Sequence, residues 1–291
     1  MQLPFPAPEK ILELPVLAPR PADSNKGSFG RVLVVAGSRG MSGAAVLCGS
    51  AALRGGAGLV KLAVPEGILP IVASANPCYL TAALPQDDKG QLADRAQAEL
   101  LSLTQANDVL AIGPGLGRSS AITALVAAVL TQVNIPVVLD ADGLNALQHH
   151  TERLKRRAGP LILTPHPGEF ARLLDSDIAA VQSQRQNLAV RFAAENGLIL
   201  VLKGHGTIVT DGRHVYCNTT GNPGMATGGT GDVLTGLIAA LLGQKFEPFA
   251  AAQLGVHIHG LAGDMARDDL GEVSLIASDL IDYLPRALRN F

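Results

Sequence analysis

Asp232 stands between a glycine-rich run, Gly228-Gly229-Thr230-Gly231, and an apolar one. Val233, Leu234, Leu237, Ile238, Leu241 and Leu242 recur at helical spacing, which predicts a helix with one buried face starting close to Thr230. The first N–H groups of such a helix have no partner inside it. With the helix dipole they make an anion site just beyond Gly229, Thr230 and Gly231. A carboxylate there is placed to take a proton from a hydroxyl that attacks a phosphate.

Four further constellations carry chemistry. Gly37-Ser38-Arg39-Gly40-Met41-Ser42-Gly43 follows a strand pattern and opens a helical one. It is neither G-x-G-x-x-G nor a P-loop, so a tight turn and a ligand-facing backbone both remain readings. Gly113-Pro114-Gly115-Leu116-Gly117 holds more glycine than a turn needs and points to backbone contact with a ligand. Thr164-Pro165-His166-Pro167-Gly168-Glu169 puts His166 and Glu169 three apart at a helix start favoured by Pro167. That pair is either an early-turn acid with its neighbour or a holder of magnesium-bound water or a ligand hydroxyl. Lys203-Gly204-His205-Gly206-Thr207 ends a strand in a lysine and a turn whose N–H groups can cradle phosphate; a plain hairpin fits the same residues. Asp140 and Asp142 are polar site candidates or a helix cap. His257 and His259 read as core or interface histidines, and no His/Cys/Asp spacing suggests zinc. Lys26 reads as a solvated loop lysine.

The elements that must position these residues alternate. Arg31–Ala36, Leu59–Val64, Asp108–Ile112, Pro136–Leu139, Leu161–Leu163 and Leu198–Leu202 read as buried strands. Helical patterns lie at Ser42–Gly55, Gln91–Gln105, Ser119–Gln132 and Ala179–Asn196. This predicts an α/β fold, a large mostly parallel central sheet with helices on both faces. Thr207–Val209 and His214–Tyr216 around Thr210-Asp211-Gly212-Arg213 predict a hairpin near the sheet edge. The glycine-rich loops then share the C-terminal ends of the strands, where ligands bind in such sheets.

The 291 residues, 47% of them hydrophobic, suffice for a large core, and no linker divides them, so one domain over 1–291 is expected. A net charge of −2 without a long basic block, and 3% aromatic residues, argue against nucleic acid. Arg153, Lys155, Arg156 and Arg157 read as a solvated helix end. Cys48, Cys78 and Cys217 form no C-x-x-C and are expected as small core hydrophobes in a reduced, cytoplasmic setting. The proline-rich start, 1–20, has no leader pattern, and no run reaches the ~20 apolar residues of a membrane span. The Gly/Ala-rich Ala250–Ala266 is expected to pack against copies of the chain.

Taken together and in order, Lys26-Gly27-x-x-Gly30, Gly37-Ser38 through Gly43-Ala44-Ala45, Gly113–Gly117, Thr164–Glu169, Lys203-Gly204-x-x-Thr207 and Asn222-x-Gly224-Met225-Ala226-x-Gly228-Gly229-x-Gly231-Asp232 resemble the ADP-dependent NAD(P)H-hydrate dehydratases of the ribokinase-like superfamily. The resemblance runs from Lys26 to about Leu242, with Asn25 where a histidine often precedes the Lys-Gly. It implies the dehydratase module without an N-terminal epimerase domain. It also implies a homotetramer, ADP as phosphoryl donor, magnesium as helper, and the S epimer of hydrated NADH or NADPH as substrate. Carried over residue by residue, Ala45, Gly117 and His166 would contact the hydrated cofactor. Lys203, Gly204, His205, Gly206 and Thr207, with Gly231, would hold the nucleotide. Asp232 would meet the substrate at the reacting centre. A hydroxyl kinase of the same superfamily, or a nucleotide sensor without turnover, are the alternatives.

Overall fold

The computed structural model describes residues 7–291, so part of the 1–20 stretch read as lacking a leader lies outside the described residues. In chain order the elements are β1 (Glu9–Lys10), β2 (Arg31–Val35), α1 (Ser42–Arg54), β3 (Leu59–Pro65), α2 (Leu69–Ala75), β4 (Leu80–Leu84) and α3 (Ala96–Thr104). There follow β5 (Val109–Ile112), α4 (Ser120–Gln132), β6 (Val137–Leu139), α5 (Ala141–Asn145), β7 (Leu161–Leu163), α6 (Pro167–Leu173), α7 (Ile178–Ser183) and α8 (Arg185–Asn196). The chain closes with β8 (Ile199–Leu202), β9 (Ile208–Thr210), β10 (His214–Cys217), α9 (Thr230–Gly243), α10 (Pro248–Leu270) and α11 (Ala277–Leu288).

The strands form one ten-stranded sheet in the order β1-β10-β9-β8-β7-β6-β5-β2-β3-β4. Every pairing is parallel except those β9 makes with β8 and β10. This is the expected α/β sheet with a hairpin toward one edge. Alternation sorts each strand between two cores. Val32 and Val34 face a layer containing α1, α9, α10 and α11, whereas Leu33 and Val35 face one containing α3, α4, α6 and α8. The chain runs outward from β2 to β4 and then returns to the other side of β2 as β5. That reversal opens a crevice at the strand ends between β2 and β5.

Several boundaries differ from the sequence reading. The helix expected over Gln91–Gln105 starts only at Ala96, because Asp87 caps a turn and Gln86 bridges to Leu92. The pattern over Ala179–Asn196 splits into α7 and α8 where Gln184 leaves helical geometry at φ −134°. α2 and the edge strand β4 were not foreseen; Leu80-Thr81-Ala82-Ala83-Leu84 holds no run of β-branched residues to announce a strand. Cys48 is a core residue, but Cys78 and Cys217 are exposed, one in a turn and one at a strand end. Lys26 is exposed and precedes β2, at the end of the sheet away from the glycine-rich loops. No helix among the described residues is long and apolar enough to cross a membrane.

α9 is the hub of the first layer. It is buried from Val233 to Gly243 on every side, not on one face as its apolar spacing suggested. α1, α10 and the sheet surround it. α10's small residues, Ala251, Ala252, Gly255, Gly260, Ala262, Gly263 and Ala266, are likewise buried inside this chain. The stripe expected to meet other copies is therefore used internally. At the α1–α9 crossing, Gly236 lies flat against the Cys48 carbonyl, and a Cβ there would collide with that oxygen. Gly236→Ala is expected to lower the unfolding free energy by about 2 kcal/mol or more, overriding its gain in helix propensity. Urea denaturation of parent and variant measures it, and an equal midpoint would refute this crossing.

Candidate active site

Consecutive strand ends supply the site through a ladder of loop contacts. After β2, Gly37 donates its N–H to the Pro114 carbonyl and Ser38 Oγ donates to that of Gly115, which locks the 37–43 turn to the 113–117 turn. After β5, Gly113 adopts φ +129° and lies against the Asp140 backbone, where any side chain would collide. After β7, Thr164 donates its N–H to Leu139, and after β8 Lys203 donates its own to Pro165. Ala141 turns the chain out of β6 in the left-handed region, φ 49°, which costs on the order of 1–3 kcal/mol and separates Asp140 from Asp142.

The centre of the site is charged and buried. Asp140 is 1% exposed. One carboxylate oxygen accepts from Lys203 Nζ at 2.7 Å and the other from Thr235 Oγ1 at 2.8 Å. Lys203 Nζ also stands 3.9 Å from Glu169. Burial alone would lower the Lys203 pKa, but Asp140 and Glu169 outweigh it and hold the ammonium above its usual value. A Cβ on Gly231 would sit 3.2 Å from Lys203 Nζ, so the mouth of α9 rests directly on this pair.

Asp232 makes no ion pair among the described residues. Burial, then repulsion from Asp140, raises its pKa to about 7, with Lys203 pulling the other way. A carboxylate titrating near neutrality beside unpartnered helix amides suits a general base. The opposite wall is a capping box: His166 Nδ1 accepts from the Gly168 and Glu169 amides at 3.0 and 3.3 Å, and Glu169 accepts from the His166 amide at 2.8 Å. With Nδ1 an acceptor, the neutral ring carries its proton on Nε2, 3.4 Å from Glu169. Burial, then Lys203, lowers the His166 pKa and favours that neutral form.

The sequence-chosen residues fall as follows. Lys203, Gly231 and Asp232 meet at the α9 mouth. His166 is exposed on the β7 side of the same edge, and Gly204 and His205 are exposed on the loop beyond Lys203. Thr207 Oγ1 donates to the Gly204 carbonyl at 2.8 Å and closes that loop around Gly206. Gly117 is buried, its N–H held by Asp142 at 2.9 Å. Ala45 is 0% exposed behind Gly37, so it shapes the turn and offers no surface of its own to a ligand. Asp140 does not cap α5 with its side chain, because Lys203 and Thr235 take both oxygens. Thr235 was missed. It lies one turn beyond Asp232 inside an apolar helix, and that buried hydroxyl was the available signal.

A family model described as NAD(P)H-hydrate dehydratase matches residues 32–286. The chain is 49% identical over 273 residues to a bifunctional NAD(P)H-hydrate repair enzyme of Moorella thermoacetica, covering 93% of this chain and 51% of that protein. It thus spans about half the length of the first bifunctional relatives it matches. It is 36% identical to the ADP-dependent (S)-NAD(P)H-hydrate dehydratase of Bacillus subtilis, with 100% of each covered. The crystal structure of the Bacillus subtilis ADP/ATP-dependent NAD(P)H-hydrate dehydratase, co-crystallised with ATP/Mg2+, superposes with a TM-score of 0.80 at 33% identity, covering 94% of each chain.

Because the Asp232 pKa is raised above the unfolded value of about 3.9, its proton favours the folded chain. That stability is fully present below about pH 4 and is lost as pH rises through about 7. Asp232→Asn removes the dependence. Its unfolding free energy relative to the parent is expected to rise by a few kcal/mol between pH 4 and 8. Denaturant titrations across that range test this; a constant difference would refute the raised pKa.

Proposed function

The chain belongs to the NAD(P)H-hydrate dehydratase family, and we propose that it dehydrates the S epimer of hydrated NADH or NADPH at the expense of a nucleoside phosphate, ADP by resemblance. The observation that carries the reading is Asp232, a carboxylate with a pKa of about 7 at the mouth of a buried helix, resting on the Lys203–Asp140 pair. Hydroxide leaves poorly, so the ring hydroxyl of the hydrate must first be converted into a better leaving group. Asp232 takes the hydroxyl proton as that oxygen attacks the terminal phosphoryl group of the nucleotide. The Gly229–Gly231 amides and Lys203 stabilise the charge on the transferring group. The ring nitrogen lone pair then expels phosphate from the ester, and loss of the neighbouring carbon-bound proton restores the dihydronicotinamide. With ADP as donor the products are AMP and phosphate.

Magnesium fits this site as an ion carried by the nucleotide. Among the described residues no three His, Cys, Asp or Glu side chains stand together as a ready cage. Phosphate oxygens would be its main ligands, with Glu169 and Asp232 the carboxylates left at the site once Asp140 is held by Lys203 and Thr235. Bound magnesium supplies neutralisation of phosphate charge. The Lys203–Thr207 loop holds the nucleotide in this reading. His166, with its ring proton on Nε2, presents a donor to an acceptor atom of the hydrate. Gly117 and Ala45 act through the turns they shape. By resemblance we infer a cytoplasmic homotetramer.

Asp232→Asn is expected to lower turnover by ~10²–10⁴ while retaining ADP affinity. Gly231→Val, which would press on Lys203 Nζ, should instead weaken nucleotide binding. Purified protein with hydrated NADH and ADP or ATP gives both readings, from recovery of dihydronicotinamide absorbance and from phosphate release. Unchanged turnover in Asp232→Asn would remove it as the base. A phosphorylated organic product without recovered absorbance would make the protein a kinase, and no nucleotide turnover with authentic hydrate would make it a sensor.

A further inference from the structure

His257 and His259, two histidines on α10 with no part in the chemistry above, lie against the segment that leads into α9. Residues 218–230 run along one side of this helix. Asp264 accepts from the Gly221 N–H at 2.8 Å and from Asn222 Nδ2 at 3.0 Å. Asn222 in turn accepts from the Gly224 N–H at 3.0 Å, which starts the turn toward Met225. Thr220 Oγ1 lies 2.9 Å from the His257 carbonyl. At the far end, His259 Nε2 donates to the Thr230 carbonyl at 2.9 Å. Between these anchors α10 has glycines where the segment comes closest: a Cβ on Gly260 would collide with Thr220, and one on Gly263 with Met225. Gly260 and Asp264 are four apart, as are His259 and Gly263, so the four lie on adjoining stripes of one helix.

We propose that Asp264 and His259 are positioning residues that clamp the two ends of the glycine-rich turn onto α10, fixing the first amides of α9 and Asp232 against the Lys203–Asp140 pair. Between these anchors Gly228 meets no neighbouring atom at the place of a Cβ, Gly229 adopts φ +94° with Leu47 and Ala277 against it, and Thr230 Oγ1 donates to the Thr227 carbonyl at 3.1 Å. Glycine backbone has many accessible geometries, and the bonds to α10 at both ends select one. Asp264 fixes the entry with two acceptor bonds, and His259 fixes the first turn of the helix by donating to the Thr230 carbonyl. Arg267 Nη1 stands 3.5 Å from the Asp264 carboxylate.

The inference rests on the proposed function for its kinetic arm only. In the full chain, Asp264→Ala and His259→Leu are expected to lower kcat by about 100-fold, since small misplacements of reacting groups cost on that order. The Kd for ADP should change less than threefold, and the melting temperature by less than about 5 °C. His259→Gln, which keeps an amide donor, should recover turnover to within about threefold of the parent. Hydrogen–deuterium exchange supplies an arm independent of activity: amides of 228–233 should exchange at least tenfold faster in Asp264→Ala and His259→Leu, with those of β8 unchanged. Unchanged exchange at 228–233 overturns the clamp whatever the kinetics. Faster exchange with unchanged kcat overturns its role in positioning. If the parent itself fails to recover dihydronicotinamide, the proposed function falls while exchange still decides the clamp.

Discussion

The contact between Lys203 Nζ and Asp140, 2.7 Å long, is the interaction on which this architecture depends. It joins the end of β8 to the end of β6 across the intervening β7. Charges withdrawn from water are costly unless each finds a partner, and breaking a buried pair from one side typically costs about 3–5 kcal/mol. Asp140 meets that demand with Lys203 on one oxygen and Thr235 on the other. The same carboxylate therefore ties sheet to helix, and α9 cannot slide along its axis without leaving an oxygen unpaired.

That arrangement sets the electrostatics of its neighbour. Lys203 is committed to Asp140 and stands closer to it than to Glu169, so its charge only partly compensates Asp232. Burial and the Asp140 charge prevail. Two carboxylates in one site thus divide the work: Asp140 stays in the ion pair, and Asp232 keeps affinity for a proton. His259 faces the same end of α9, and burial pushes its pKa down to about 4, so it adds a neutral donor and no competing positive charge.

Much of this was written in local patterns. The strand ends came from apolar runs such as Val-Leu-Val-Val at 32–35, and the loops from glycines whose spacing survives whatever surrounds them. Asp232 was legible because the glycines that precede it in sequence also form the mouth of its helix. What the sequence left unread depends on contacts between distant segments. Asp140 reads equally as a polar site residue or a helix cap, because the partners that decide it lie 63 and 95 residues away. Ala45 was placed as a ligand contact by resemblance, yet its burial behind Gly37 depends on how α1 packs. The small residues of α10 suggested another chain because the loop and helix they receive could not be seen from within the helix.

The same long separations govern how the fold comes into being. Contacts that join positions so far apart form slowly, since a large loop must close before any one of them is rewarded. The central ion pair needs β8, and its second oxygen needs α9, whose amides themselves lean on α10. Until β8 and α9 dock, Asp140 lacks both of its side-chain partners, and β1 has no neighbour before β10. The first half of the sheet therefore leaves that aspartate waiting for the segments that follow.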